Sequence, residues 1–510
     1  MKCSFVWHRS FVAAACLASA AAVPPAHAVI CPPGEPDFVY LDVGNDGCFN
    51  SGTDTEIPEA SLVGTYTTSG SIVVPHGVKL EAPDGSNTDW HATRLYLDGS
   101  VSNYSSFSFD GFSIQIGASA KLIGNDVHFG MSGGVMIVGD GATLTAITGI
   151  LSMTGSATTD LGASTHLSGA SVYLDVDNDI LVREGASIVG TNGYVSISMN
   201  AGSELQSGVS VAATGSLSIT ASSTLTLGDG VSLEGESSAS ISANGITAGD
   251  GVKMSGGTVT TSGSGDLVAG DKFSVEATDG VVTLGGGNLA VGEKARLTAA
   301  TGLVVSLSGG VSFGASAKLS AYANISSSTG STIDFGDKAK IVSTGGSVSL
   351  QGYLGVSLGA KSKVSAYTSD TLISSAPNSG FGVQIAEGTK IKSGTAKDPM
   401  MPSSIVLEGY SIGISPKVSL SGAEKQNSIM LHPYETLSVD GAKIAGKTIV
   451  VGDADDAPFN PFLFKNTKVT GSADGATLDF VASGSTCDLT GSSFKKITVD
   501  HSSCMAVVGP

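Results

Sequence analysis

The chain has 510 residues, of which 69 are Gly, 41% are apolar, 14% are charged and 6% are aromatic. So much apolar content with so little charge excludes a disordered chain, and the few prolines exclude collagen. A formal charge of −19 without a basic block excludes generic binding to nucleic acid.

Residues 1–28 read as a secretory signal. Lys2 and Arg9 supply the positive start, Phe11 to Val23 the apolar stretch, and Ala26-His27-Ala28 the cleavage site. The apolar stretch is too short to cross a bilayer, and no later run reaches the length of a transmembrane segment. The expectation is export in a bacterial style, with cleavage near Ala28 and a secreted or cell-surface location. Cleavage leaves 24 basic against 45 acidic residues.

Four cysteines follow the signal: Cys31 and Cys48 near one end, Cys487 and Cys504 near the other, each pair 17 residues apart. Three connectivities exist in principle. Local pairing is the one that does not require the ends of a long fold to meet, and an oxidising compartment favours it. Residues 29–71 are expected to form an N-terminal cap with the first coil or coils, and 487–510 a C-terminal cap.

From residue 72 one pattern recurs: apolar-x-apolar, Gly, small or charged residues, then an apolar anchor. Examples are Ile114-Gln-Ile-Gly-Ala-Ser-Ala-Lys-Leu122 and Ile333-Asp-Phe-Gly-Asp-Lys-Ala-Lys-Ile341. The anchors Leu122, Leu144, Leu167, Ile188, Leu233, Met254, Val275, Leu297, Leu319, Ile341 and Val364 are 21 to 23 residues apart, except for a gap of 45 between Ile188 and Leu233. Period-2 runs such as Val195-Ser-Ile-Ser-Met199 lie between anchors and predict strands with one buried face. One coil cannot bury its own interior, so coils must stack with their strands in parallel. The fold class is therefore all-β: a single right-handed, three-sided parallel β-helix of roughly 20 coils. It is regular over 72–364. Over 365–486 the coils lengthen, with loops expected at Ser375–Gly380, Thr395–Ser403, Glu424–Glu435 and Asp453–Pro461.

This rhythm resembles the right-handed parallel β-helix superfamily of pectate lyases, polygalacturonases and bacterial surface adhesin passengers. Ile72-Val-Val-Pro-His-Gly-Val-Lys-Leu80 is similar to the opening coil of many members. The resemblance lies in fold and implies no function. Of the polygalacturonase motifs only Asn87-Thr-Asp89 is present, and it reads as a turn. No catalytic residue is assigned, and the leaning is toward a protein that is not an enzyme. No cofactor is required. Asp453, Asp455 and Asp456 form a compact acidic loop, the best candidate for Ca²⁺.

The residue before the anchor is often basic. Arg296, Lys318, Lys340, Lys363 and Lys390 would stack into a positive ladder suited to an anionic polysaccharide. Four residues before the anchor an acid recurs, as at Asp140, Asp250, Asp271, Glu293 and Asp337, and this second ladder is expected to neutralise the first. Met400, Met401, Phe459 and Phe462 are expected at apolar loop tips, available to a partner or to assembly with further copies. The leading reading is a structural or adhesive solenoid, such as an adhesin, sheath or filament subunit. The alternatives are a polysaccharide lyase or hydrolase, and a non-catalytic binder of acidic polysaccharide.

Overall fold

The computed structural model describes residues 55–56, 64–67 and 69–509, apart from 75, 83–86, 104, 157, 368, 378–379, 395–402, 423–426, 453–461 and 482–484. It is a right-handed parallel β-solenoid of about 18 turns. At roughly 4.8 Å per turn the rod is about 85 Å long. Three columns of strands make its faces. One coil shows the plan: Lys318–Ala321 belongs to sheet A, Ile325–Thr329 to sheet B and Thr332–Phe335 to sheet C. Each strand pairs in parallel with its equivalent one coil earlier and one coil later. No helix occurs among the described residues, and none is therefore long and apolar enough to cross a membrane.

The anchors stack in register along sheet A from Leu80 to Phe494. Val211 occupies the gap in the anchor series, pairing with Ile188 on one side and Leu233 on the other. Alternation does the rest. Leu319 is inside and Lys318 outside because successive side chains of a strand point to opposite faces. The interior is a continuous column of Val, Leu, Ile and Phe. Aromatic pairs stack along it, as between Phe313 and Phe335, whose rings are nearly parallel with centroids 5.2 Å apart.

The corner entering sheet A explains the recurring Gly-Asp-Gly and Gly-Asp-Lys triplets. Its central residue takes a positive φ, which turns its N–H toward the carbonyl of the next coil. Gly230 and Gly251 do this at φ 67° and 69°. Lys272, Lys294, Lys338 and Lys361 do the same with side chains, at φ of about 60° to 61°. Their amides donate to Glu293, Ala315, Ala360 and Glu387 at 2.8 to 2.9 Å. The left-handed conformation costs an L-residue about 1 kcal/mol that glycine avoids. Lys338→Gly combined with Lys361→Gly is therefore expected to raise the thermal midpoint slightly, each contributing roughly 0.5 kcal/mol after glycine's larger unfolded-state entropy is set against it. A calorimetric melt checks this.

Cys487 and Cys504 form a disulfide with Cα atoms 5.9 Å apart. Cys31 and Cys48 lie outside the described residues. The segment after Cys487 continues the solenoid: Ser493–Lys495, Thr498–Asp500 and Cys504–Val508 pair onto sheets A, B and C. Met505 and Val508 on this rung are exposed. Closing a loop of this length contributes about 3 kcal/mol in the chain-entropy picture. Because each coil touches only its neighbours, Cys487→Ser is expected to expose the last coils to hydrogen exchange while leaving the middle of the rod protected.

The strand Ser428–Asp440 replaces most of the loop expected at Glu424–Glu435. Ile429 and Leu431 alternate into the core and carry the chain through that stretch as a strand. Asn87-Thr-Asp89 is likewise not a turn. Thr88 begins the strand Thr88–Leu97 and is buried.

Candidate functional site

The basic ladder is real in register. Arg296 pairs with Lys318, Lys318 with Lys340, Lys340 with Lys363 and Lys363 with Lys390, on consecutive strands of sheet A. All five side chains are exposed. Beside them runs the second column already met at the corner, Lys272, Lys294, Lys338 and Lys361, also exposed. Two parallel rows of cations therefore follow one edge of sheet A, on a chain whose net charge is negative.

The rest of the outer face of sheet A is polar and aromatic. Thr298, Ser320 and Ser365 occupy the next outward positions. Tyr322 and Tyr367 stand just past the ends of their strands, 66% and 42% exposed. A four-residue strand puts them roughly 13 Å from the lysine row.

The acidic column does not neutralise the basic one. Asp140, Asp229, Asp250, Asp271 and Asp337 each accept, through Oδ1, a backbone N–H from the next coil at 2.7 to 2.8 Å; the donors are Ala163, Asp250, Asp271, Glu293 and Ala360. These carboxylates point along the rod and tie one corner to the next. None of Arg296, Lys318, Lys340, Lys363 and Lys390 makes an ion pair among the described residues. The expectation of charge compensation is thus corrected: the acids serve as corner caps. Glu387 is the exception, receiving Lys417 Nζ at 2.5 Å. The hydrogen bond and charge of Lys417 hold its carboxyl below the usual Glu range, and Glu387 in turn raises Lys417.

Asp453, Asp455, Asp456, Met400, Met401 and Phe459 lie outside the described residues. Phe462 is not a loop tip: it opens the strand Phe462–Lys465, is only 4% exposed, and pairs with Leu437 and Cys487 in sheet C. Its side chain points inward in step with Phe464, so it offers nothing to a partner.

Two side-chain clusters join residues that are distant in sequence. On sheet B, Gln351, Ser374, Glu408 and His432 form one outward column. Tyr434 donates a hydrogen bond to Glu408, and His432 Nδ1 lies 3.9 Å from the same carboxylate. Exposed Tyr353 shares a shallow groove with Gln351, Ser374 and Glu408. The second cluster is Asp89, His91 and Asp110, near the N-terminal end of the described rod. The individual residues carry no motif. Only the coil register brings them together.

No protein family, curated protein or solved structure matches the chain. The solenoid and its surfaces therefore carry the functional argument.

Proposed function

We propose that this chain is an exported, non-catalytic solenoid of the cell surface or extracellular space, which adheres to acidic polysaccharide through the outer face of sheet A. The observation that supports this reading most is the in-register run of exposed, unpaired cations from Arg296 to Lys390.

The chemistry is that of a linear anion. One charge per coil repeats at roughly 4.8 Å, and a polyuronate extended along the rod would present one carboxylate per sugar on a comparable repeat. Lys and Arg would meet the carboxylates, Ser320 and Ser365 the ring hydroxyls, and Tyr322 and Tyr367 the apolar sugar faces. Each exposed contact is weak, so affinity would come from many in a row. The lysines at positive φ fit this reading, since they keep charge where glycine would be less strained. Likeness to the pectin-lyase-like superfamily and the adhesin passengers belongs to the same proposal. Cosedimentation with polyuronate and with a neutral glucan tests it: binding to the first alone supports the reading, and equal or absent binding to both opposes it.

A second reading rests on the Glu408, His432 and Tyr434 cluster beside Tyr353. A carboxylate, an imidazole and a phenol in one groove could serve a polysaccharide lyase or hydrolase. Release of unsaturated products or new reducing ends from polyuronate, abolished by Glu408→Gln, would favour it over adhesion.

A further inference from the structure

We infer that Asp89, His91 and Asp110 form a binding site for a divalent transition-metal ion, with Zn²⁺ as the natural occupant. The inference is independent of the polysaccharide reading, because it concerns other coils and another sheet.

The local sequence puts the donors in place. Trp90 points inward, fully buried, and packs edge-on against Phe107 with ring centroids 5.0 Å apart. Its neighbours Asp89 and His91 must then point outward together. One coil later, Phe109 is buried and Asp110 faces out, paired in register with His91. The outward donors thus rest on a rigid aromatic layer.

His91 Nε2 lies 3.1 Å from Asp89 Oδ2, and Nδ1 lies 3.7 Å from Asp110 Oδ2. The first contact is a hydrogen bond. The second is too long for one, yet it suits two ligands held by one ion at about 2.1 Å from each. One donor atom from each residue falls within 4.8 Å of the others. An Nε2–H donated to Asp89 would leave Nδ1 as a bare lone pair facing Asp110, the orienting role that a carboxylate plays for metal-bound imidazole.

The surroundings fit a cation. Neither carboxylate has a Lys or Arg partner among the described residues. Space beside Asp110 is kept by glycine: a Cβ on Gly130 would come within 2.1 Å of Asp110 Oδ1, and within 3.5 Å of His128 Nε2. His128 therefore stands on the far side of the same carboxylate, within reach as a further donor. Imidazole with two carboxylates favours Zn²⁺ and its neighbours over Ca²⁺ or Mg²⁺. The groove is open, so water would complete the coordination.

The test is titration of the full chain with Zn²⁺ by calorimetry, and with Co²⁺ by visible absorption and by quenching of Trp90. The expected result is one ion per chain, and Co²⁺ quenching that Zn²⁺ displaces. His91→Ala and Asp110→Asn are expected to weaken binding at least tenfold with an unchanged far-ultraviolet dichroism spectrum, since both side chains are on the outer face. Replacing Asp453, Asp455 and Asp456 together by Asn is expected to leave this binding intact. Absence of Zn²⁺ binding, or binding unaltered in both His91→Ala and Asp110→Asn, would overturn the assignment.

Discussion

Reversing Lys318, Lys340 and Lys363 to Glu is expected to abolish retention on an acidic polysaccharide while leaving the fold and melting temperature nearly unchanged. All three side chains are exposed on consecutive strands of sheet A and carry no ion pair among the described residues. The substitution therefore breaks no internal contact. Each surface charge contact contributes roughly 0.5 kcal/mol, and reversal turns three attractions into three repulsions. The loss is on the order of 3 kcal/mol, about a hundredfold in affinity. Reversal of Lys447, at the following corner and toward the C-terminal end, is expected to matter much less. If the triple variant binds as the parent does, the ladder is only a solvated edge. The second cationic column gives a graded version: neutralising Lys338 and Lys361 removes charge while relieving their positive φ, so binding should fall as stability rises. A change in which affinity and stability move in opposite directions is hard to obtain from unfolding.

The largest expected stability effect is at the anchor column. Leu319 is 1% exposed and sits between Leu297 and Ile341 in the middle of the rod. Leu319→Asp places a carboxylate among aliphatic side chains with no donor designed to meet it, at a cost above about 4 kcal/mol. Leu319→Ala leaves a cavity and costs about 2–5 kcal/mol. The two differ in more than magnitude. In a solenoid each coil is held by its neighbours, so a charge in one coil breaks the nearest-neighbour chain. Leu319→Asp is expected to split one melting transition into two and to open a proteolytic site near residue 320, with fragments on either side retaining β-structure. A single cooperative transition at slightly lower temperature would show that coupling extends over many coils.

The anchor rhythm made the solenoid readable because two simple constraints coincide. A strand buries every second residue, and a coil must return to the same corner after about 22 residues. Leu122, Leu144 and Leu167 satisfy both. Val211 was harder to see, since the residue before it is Ser210 where many other coils have Lys or Arg. The lysine ladder was equally legible, because equal spacing in sequence becomes adjacency in a stacked sheet.

What the acids do was not legible. An Asp four residues before the anchor has the same spacing whether it faces a lysine or a backbone amide. The choice depends on corner geometry: Asp250 reaches the N–H of Asp271 because the corner presents that amide to the coil below. Phe462 was misplaced for a related reason. The acidic and Pro-rich stretch before it suggests a loop, but the alternation of Phe462 and Phe464 already belongs to the next strand of sheet C. Asp89, His91 and Asp110 could be found only through register. Their separation, 19 residues from His91 to Asp110, becomes direct adjacency once the coils stack.

The most direct test of the adhesive account is the salt dependence of binding to a polyuronate, measured by calorimetry on the intact protein beside a neutral glucan. Exposed charge contacts are screened within about 8 Å at physiological ionic strength. The account predicts polyuronate binding that weakens steeply from low to physiological salt, no binding to the neutral polymer, and no new reducing ends or unsaturated products. Salt-independent binding, equal binding to the neutral glucan, or turnover of the polymer would contradict it.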